Sequence, residues 1–278
     1  MIIKSIFLFP LLIIKKIYRV LIMELNEIRN SKNKRYKELL SSYEFTGLSN
    51  DRDKHIQHLN ESLKELGLSP YDEDSGMYSE HLLIFSAISR SNYKPKNILE
   101  IGTYDGKTAA ILSKLFPESY VNTLDLNEQD IMFKYEYNRS NNTNEFVSSR
   151  DNLIDKIDNI NFIKANSLHL TFTESLKNQD LIWVDGAHGY PIVCSDITNC
   201  LRLLNEGGIL MCDDVWKNLK ISDKMYSSIA TFETLSSFSD ANILDNTFFR
   251  KRIGKRYNGN YKYVSFSRLI SDSKRIIN

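Results

Sequence analysis

Cysteine is scarce in this 278-residue chain: Cys194, Cys200 and Cys212 are odd in number and form no C-x-x-C pair. That argues against a zinc site and a disulfide framework, and fits buried free thiols in a reducing, cytoplasmic compartment. Neither sign of charge is in excess. Thirty-six Lys and Arg face 35 Asp and Glu, a formal net charge of +1, so no overall field favours nucleic acid or an acidic polymer. No apolar run reaches the roughly 20 residues that a spanning helix needs, and no internal repeat is visible. Low complexity is confined to the Asn-rich residues 138–144, read as a mobile loop. What remains is ordinary globular composition, 42% hydrophobic and 26% charged, with length for one α/β domain and an appendage or for two small domains.

The nearest approach to a membrane signal is residues 2–14, mostly apolar but broken by Lys4 and Pro10 and followed by Lys15, Lys16 and Arg19. A secretory signal would end in a small-residue cleavage site. Basic residues beside a short apolar stretch suit a helix lying in the headgroup region, on the inner face of a membrane. A disordered tail, a helix packed on the domain, or a true start at Met23 rather than Met1 are the alternatives. Residues 1–23 are therefore set apart from a helical extension or cap, 24–70. In the extension Leu39 and Leu40 close one helix, and Leu59, Leu63 and Leu66 recur at helical spacing until Gly67 and Pro70.

From residue 71 to 278 helices alternate with short apolar runs. A helix over 78–90 precedes strands at 97–101, 120–125, 162–164, 181–185 and 208–213, with helices at 107–115 and 191–204. Short apolar strands separated by helices predict a Rossmann-like, doubly wound, mostly parallel α/β sheet buried on both faces. The β-rich stretches 247–252 and 261–266, with Gly254 and Asn258–Gly259 between them, predict an antiparallel hairpin closing the sheet edge. Ligands of such sheets bind at the carboxyl ends of the strands, so the strand ends carry the functional reading.

The first strand ends Ile98-Leu-Glu-Ile-Gly-Thr-Tyr-Asp-Gly-Lys-Thr108. A dinucleotide fingerprint needs glycine where Tyr104 stands, and a P-loop needs one more residue between Gly102 and Gly106. Glu100 and Asp105 would also repel a phosphate. S-adenosylmethionine has no phosphate and carries a sulfonium and an ammonium, so acids suit it, while amides at the helix start can receive its carboxylate. The bland alternative is Asp105 merely capping a helix. Asp125, ending the second strand, is placed to accept ribose hydroxyls or to cap the next helix. Asn166 and Ser167, after the third, are placed to meet an adenine edge or simply to form a turn. The fourth and fifth strands end in Asp185-Gly-Ala-His-Gly-Tyr190 and Asp213-Asp214. Three crowded carboxylates call for a cation or a proton, and an all-oxygen set favours Mg²⁺ or a similarly hard ion. Such an ion could lower the pKa of a bound hydroxyl. Helix capping by the acids and a loop hydrogen bond from His188 are the alternative.

Together these residues resemble the class I methyltransferases, and more narrowly the metal-dependent O-methyltransferases of the catechol and macrolide-sugar type, over roughly residues 75–215. Glu100-Ile-Gly-Thr-Tyr-Asp-Gly-Lys-Thr108 is similar to their first cofactor motif. The more specific part is Asp-Gly-x-His-x-Tyr at 185–190, followed by Leu-Leu, Gly-Gly and Asp-Asp; Ser75-Gly-Met77 is similar to their cofactor-covering segment. The resemblance implies S-adenosylmethionine held by Met77, Glu100, Gly102, Thr103, Tyr104, Asp105, Gly106, Thr108, Asp125, Leu126, Asn166, Ser167 and Asp185. It also implies Mg²⁺ on Asp185, Asp213 and Asp214, His188 as base beside Asp185, and a small-molecule or glycan hydroxyl as acceptor. Lys107 departs from the first motif, Asp214 stands where the catechol type has Asn, and the polar segment 127–160 has no counterpart. The rivals are a metal-independent N- or C-methyltransferase, an NAD-dependent oxidoreductase, and a non-catalytic binding module on a membrane.

Overall fold

The computed structural model describes residues 18, 33–73, 75–135, 143–172, 176, 178–218, 228–254, 257 and 260–270. The apolar and basic N-terminal segment, Met23, most of the Asn-rich stretch and Asn258–Gly259 lie outside them. The chain divides into two compact units, Met1–Ser41 and Ser42–Asn278. In the first, residues 33–41 are helical. The second holds everything that follows. No helix among the described residues is long and apolar enough to cross a membrane.

Helix α1, Arg52–Glu65, starts where the Asp51 carboxylate accepts the amide of Lys54, and it buries Leu59 and Leu63, one turn apart. It packs on α2, Glu80–Ser89, which is mostly apolar and buried from Glu80 to Ile88. Between the two, Arg52 pairs with the buried Glu80, whose carboxylate also accepts from the Tyr43 hydroxyl at 2.7 Å. The extension from residue 42 onward is thus fastened to the same unit as the sheet.

The sheet has seven strands in the order β3-β2-β1-β4-β5-β7-β6. The strands are β1 Asn97–Ile101, β2 Tyr120–Asp125, β3 Ile160–Lys164, β4 Gln179–Val184, β5 Leu204–Trp216, β6 Leu244–Arg250 and β7 Lys262–Leu269. The first five pair in parallel. The last two form an antiparallel hairpin whose β7 closes on β5, as the sequence predicts. The intervening helices are α3 Lys107–Leu115, α4 Ile131–Tyr135, α5 Thr143–Ile154, α6 Ile192–Leu203 and α7 Ala230–Asp240. Leu99, Ile101, Ile182, Val184, Leu210 and Cys212 from three central strands lie with Val193, Ile197 and Leu201 of α6 in one core. Burial on both faces explains the unbroken apolar strands.

Chain order runs outward from β1 to β3 on one side and from β4 to β5 on the other, where the hairpin then adds β7 and, outermost, β6. β1 and β4 are therefore neighbours at the switch point, where their carboxyl ends open a crevice. Two elements differ from expectation. β5 begins at Leu204 rather than after the glycines, because Gly207 (φ +71°) sits inside an irregularity of the β4–β5 pairing instead of forming a separate turn. The polar segment after β2 contains α4 and α5, which bury few residues, Phe133, Arg150 and Ile154 among them.

Candidate active site

At the end of β1 the backbone turns through Gly102 (φ +100°), where an added Cβ would stand 2.3 Å from the carbonyl oxygen of Asp185. Only glycine lets the two strand ends approach so closely. The Asp185 amide donates to the Ile101 carbonyl at 2.8 Å, and the Gly102 amide to Leu124 at 2.8 Å, so β1, β2 and β4 are locked together at their tips. Asp125, ending β2, receives the Tyr104 amide on Oδ2 (2.9 Å) and the Leu126 amide on Oδ1 (2.8 Å). It holds the first turn in shape while still lining the crevice.

Two cavities open here. The larger, about 220 Å³, is lined by Leu124, Asp125, Leu126, Phe133, Asn166 and Ser167 among others; the smaller, about 50 Å³, by Met77, His81, Thr103, Thr108 and Asp213 among others. Gly102, Tyr104 and Asp185 line both. Of the sequence-derived candidates, Asp125, Leu126, Asn166 and Ser167 thus gather around the larger space. Met77, Thr103, Asp105 and Thr108 gather around the smaller.

Glu100 and Gly106 line neither cavity. Glu100 is buried beneath the turn, its carboxylate accepting the Thr123 hydroxyl, which in turn meets Thr103 at 2.6 Å. Burial pushes its pKa up to about 8, Thr123 partly opposing and Asp105 and Asp125 adding. Gly106, at φ +77°, packs against Ile154. Asp105 caps the start of α3 by accepting the Lys107 amide at 3.1 Å, and it pairs with the Lys107 ammonium at 2.7 Å.

The acids at the ends of β4 and β5 converge, with a cation among them that the motif does not contain. A regular strand sends consecutive side chains to opposite faces. Here the pairing of β5 with β7 slips between Cys212 and Val215, and Asp214 adopts φ +50°. The bulge brings both carboxylates to one ammonium. Lys251 Nζ donates to Asp213 Oδ2 and, at 2.6 Å, to Asp214 Oδ1, while Lys262 Nζ reaches Asp214 Oδ2. Burial alone would lower the Lys251 pKa, but Asp213, Asp214 and Asp185 hold it above the usual lysine value. Asp214 would be raised by burial, yet Lys251, His188 and Lys262 keep it below the usual carboxylate range.

His188 Nε2 lies 3.7 Å from Asp185 Oδ1. The imidazole is buried and its pKa lowered by that burial, so it is neutral near pH 7. Burial, then Asp213, push the Asp185 carboxyl well above its ordinary value. Asp213 Oδ1 is buried without a hydrogen-bond partner and belongs to a residue lining the smaller cavity.

A resident divalent ion on Asp185, Asp213 and Asp214 does not fit this arrangement. Hard ions want carboxylate oxygens converging at about 2.0–2.6 Å, and those of Asp213 and Asp214 converge on ammonium groups instead. Among the described residues, no group of three or more His, Cys, Asp or Glu is arranged to hold a metal.

Three further residues were not singled out in the sequence. Lys251 and Lys262 lie on the predicted hairpin, and its return to β5 was the signal that could have placed them. Asp196 of α6 is buried beside Asn166 and Ser167 and lines the larger cavity. Neither of its carboxylate oxygens completes a hydrogen bond, although Ser167 lies close enough to ease the charge; burial raises its pKa to about 6.

Residues 99–215 match the family model described as "Methyltransferase domain". No curated protein matches the chain. Among solved structures it is similar to an O-methyltransferase from Bacillus cereus in complex with SAH, with 16% identity, 77% of this chain and 91% of that one covered, and a TM-score of 0.51. It is also similar to the O-methyltransferase TomG from Streptomyces achromogenes, involved in tomaymycin synthesis and in complex with SAM (14% identity, 81% and 92% covered, TM-score 0.50). At these identities the likeness speaks for the fold. The matched segment begins inside β1 and ends inside β5, so it takes in the five parallel strands, and together with these neighbours it identifies the fold as the Rossmann-like fold of methyltransferase domains.

Proposed function

We propose that the chain transfers a methyl group from S-adenosylmethionine to a hydroxyl of a small-molecule or sugar acceptor. The observation that carries this reading is the pair of cavities meeting at Gly102, Tyr104 and Asp185. Their linings divide as the two halves of that ligand require. Asp125 would face the ribose, and Asp196, with Asn166 and Ser167, the purine edge, whose amine would complete the hydrogen bonding of a buried carboxylate that Ser167 only partly eases. Asp185 and Asp213 present negative charge toward the sulfonium and ammonium end. A phosphate ligand would meet these same acids as repulsion. Acceptance at oxygen is supported by the two structural neighbours, both O-methyltransferases.

When bound, S-adenosylmethionine supplies a methyl group already attached to a good leaving group. The chain's own part is to orient donor and acceptor and to take the acceptor's proton. His188, neutral and beside Asp185, receives that proton, and Asp185 stabilises the imidazolium that forms. With the ligand bound, the acceptor oxygen would bond to the methyl carbon as the carbon–sulfur bond breaks, leaving a neutral thioether. No step passes through a metal. We also place the protein in the cytoplasm, where its three free thiols would stay reduced.

Transfer of label from methyl-labelled S-adenosylmethionine to parallel sets of hydroxyl and amine acceptors tests the proposal. Label in methyl ethers is expected, abolished by His188→Ala. Label in amines alone would replace the reading with N-methylation.

A further inference from the structure

The cluster formed by Asp185, Asp213 and Asp214 has a built-in counter-charge, and its construction is specific. Lys251 follows the end of β6 and Lys262 opens β7, and the amide of Lys251 donates to the carbonyl of Lys262 at 2.9 Å. On its other side, the Lys251 carbonyl accepts the Glu80 amide at 3.0 Å, at the start of α2. The backbone carrying the ammonium is therefore held by the hairpin and by a helix start together. Both lysines are among the less exposed residues of the chain, with side chains 11% and 14% exposed. Lys262 is further covered by the rings of Trp216 and Tyr257, 5.4 and 5.0 Å from its nitrogen. Such a cation is no mobile surface charge that a metal could push aside.

Formal charge gives the same answer. Two carboxylates, those of Asp213 and Asp214, meet two ammonium groups, and Asp185, its carboxyl pushed up by burial, adds at most one negative charge beside the cavities. Adding a divalent ion would invert that balance in a buried site, where unpaired charge is costly. The bulge at Asp213–Asp214, which makes two consecutive acids face one way, is satisfied by the lysines in full except for Asp213 Oδ1. One open oxygen is too few for a metal and suits a single hydrogen-bond donor from a ligand.

We propose that the Lys251 ammonium is the resident cation of this acid cluster, standing where a divalent ion would have to bind, and that the enzyme works without one. Lys251 is a positioning residue: it fixes the carboxylates of Asp213 and Asp214 and leaves Asp213 Oδ1 for the ligand. Only the clause on catalysis rests on the methyltransferase reading; cation occupancy does not. Removing the ammonium should uncover a latent metal site made of the same acids.

The test is Mn²⁺ titration of the full chain, followed by electron paramagnetic resonance, for the unaltered protein, Lys251→Met and Lys251→Arg. The unaltered protein and Lys251→Arg should bind no Mn²⁺ at this cluster below millimolar concentration, and Lys251→Met should bind at least tenfold more tightly. Methyl transfer by the unaltered protein should persist in excess chelator. Tight one-to-one Mn²⁺ binding by the unaltered protein, or activity lost in chelator and restored by Mg²⁺, would overturn the proposal. So would a folded Lys251→Met that binds no better than its parent. Should that variant not fold, the titration of the unaltered protein still decides. S-adenosylhomocysteine binding measured on the same sample separates the outcomes, because its failure would sink the cofactor reading and leave the metal result standing.

Discussion

The parallel and antiparallel halves of the sheet contribute to the site in different ways. Strands β1 to β4 each deliver residues at their own carboxyl ends, so Asp125, Asn166, Ser167 and Asp185 line cavities beside residues near them in sequence. The antiparallel half supplies its charges from a distance, since Lys251 and Lys262 meet Asp214 across 37 and 48 residues. The parallel half binds through local motifs. The antiparallel half sets the electrostatic balance through topology, and a motif read without its hairpin therefore misstates the charge of the site.

Four substitutions would sharpen or break that contrast. The largest effect is expected in the antiparallel half. Lys251→Met strands the buried Asp213 carboxylate and leaves Asp214 to Lys262 alone, and breaking a buried ion pair from one side costs about 3–5 kcal/mol. Urea unfolding at pH 7 should show a loss of that order, partly recovered by added Mn²⁺. A loss below about 1 kcal/mol would mean that the pair is weak and the contrast false.

Next comes Glu100, which belongs to the parallel half and serves from beneath the turn. Its folded pKa is raised from 4.5 to about 8, chiefly by burial. The native state therefore holds a proton that the unfolded chain has released, and its contribution to stability is present below about pH 4.5 and declines as pH rises through 8. Glu100→Gln should flatten that decline, a difference on the order of a few kcal/mol at pH 8. Unfolding free energies measured from pH 5 to 8 check it, and parallel curves for the two proteins would refute it.

Gly102→Ala should cost about 1–3 kcal/mol, because its backbone is left-handed and its Cβ would meet the Asp185 carbonyl. It should also displace Asp185 from the place where both cavities meet, so S-adenosylhomocysteine binding should weaken more than stability alone explains. The smallest effect is expected from Asp196→Ala. Loss of one purine-edge acceptor should weaken S-adenosylhomocysteine about tenfold, or about 1.4 kcal/mol. Calorimetry with an analogue lacking the exocyclic amine should show a smaller difference between the two proteins.

How far the sequence could be read follows the same division. β1, β2 and α3 have the bounds that their apolar runs and glycine turn predict, since a buried parallel strand is apolar on both faces. The segment after β2 was opaque because α4 and α5 bury few side chains and show little apolar periodicity. Asp213-Asp214 was visible as a pair, but the bulge that turns both acids one way is set by register with β7. The cation between them is a long-range contact that no local spacing encodes. Asp196 escaped because a single acid on an amphipathic helix reads as solvent-facing until the fold buries it.

The most direct measurement is calorimetric titration of the full-length protein with S-adenosylmethionine, S-adenosylhomocysteine, NAD and ATP, each with and without chelator. The account predicts one-to-one binding of the two sulfur ligands, unchanged by chelator, and none of the phosphates. Tight binding of NAD or ATP with no response to S-adenosylmethionine would contradict it.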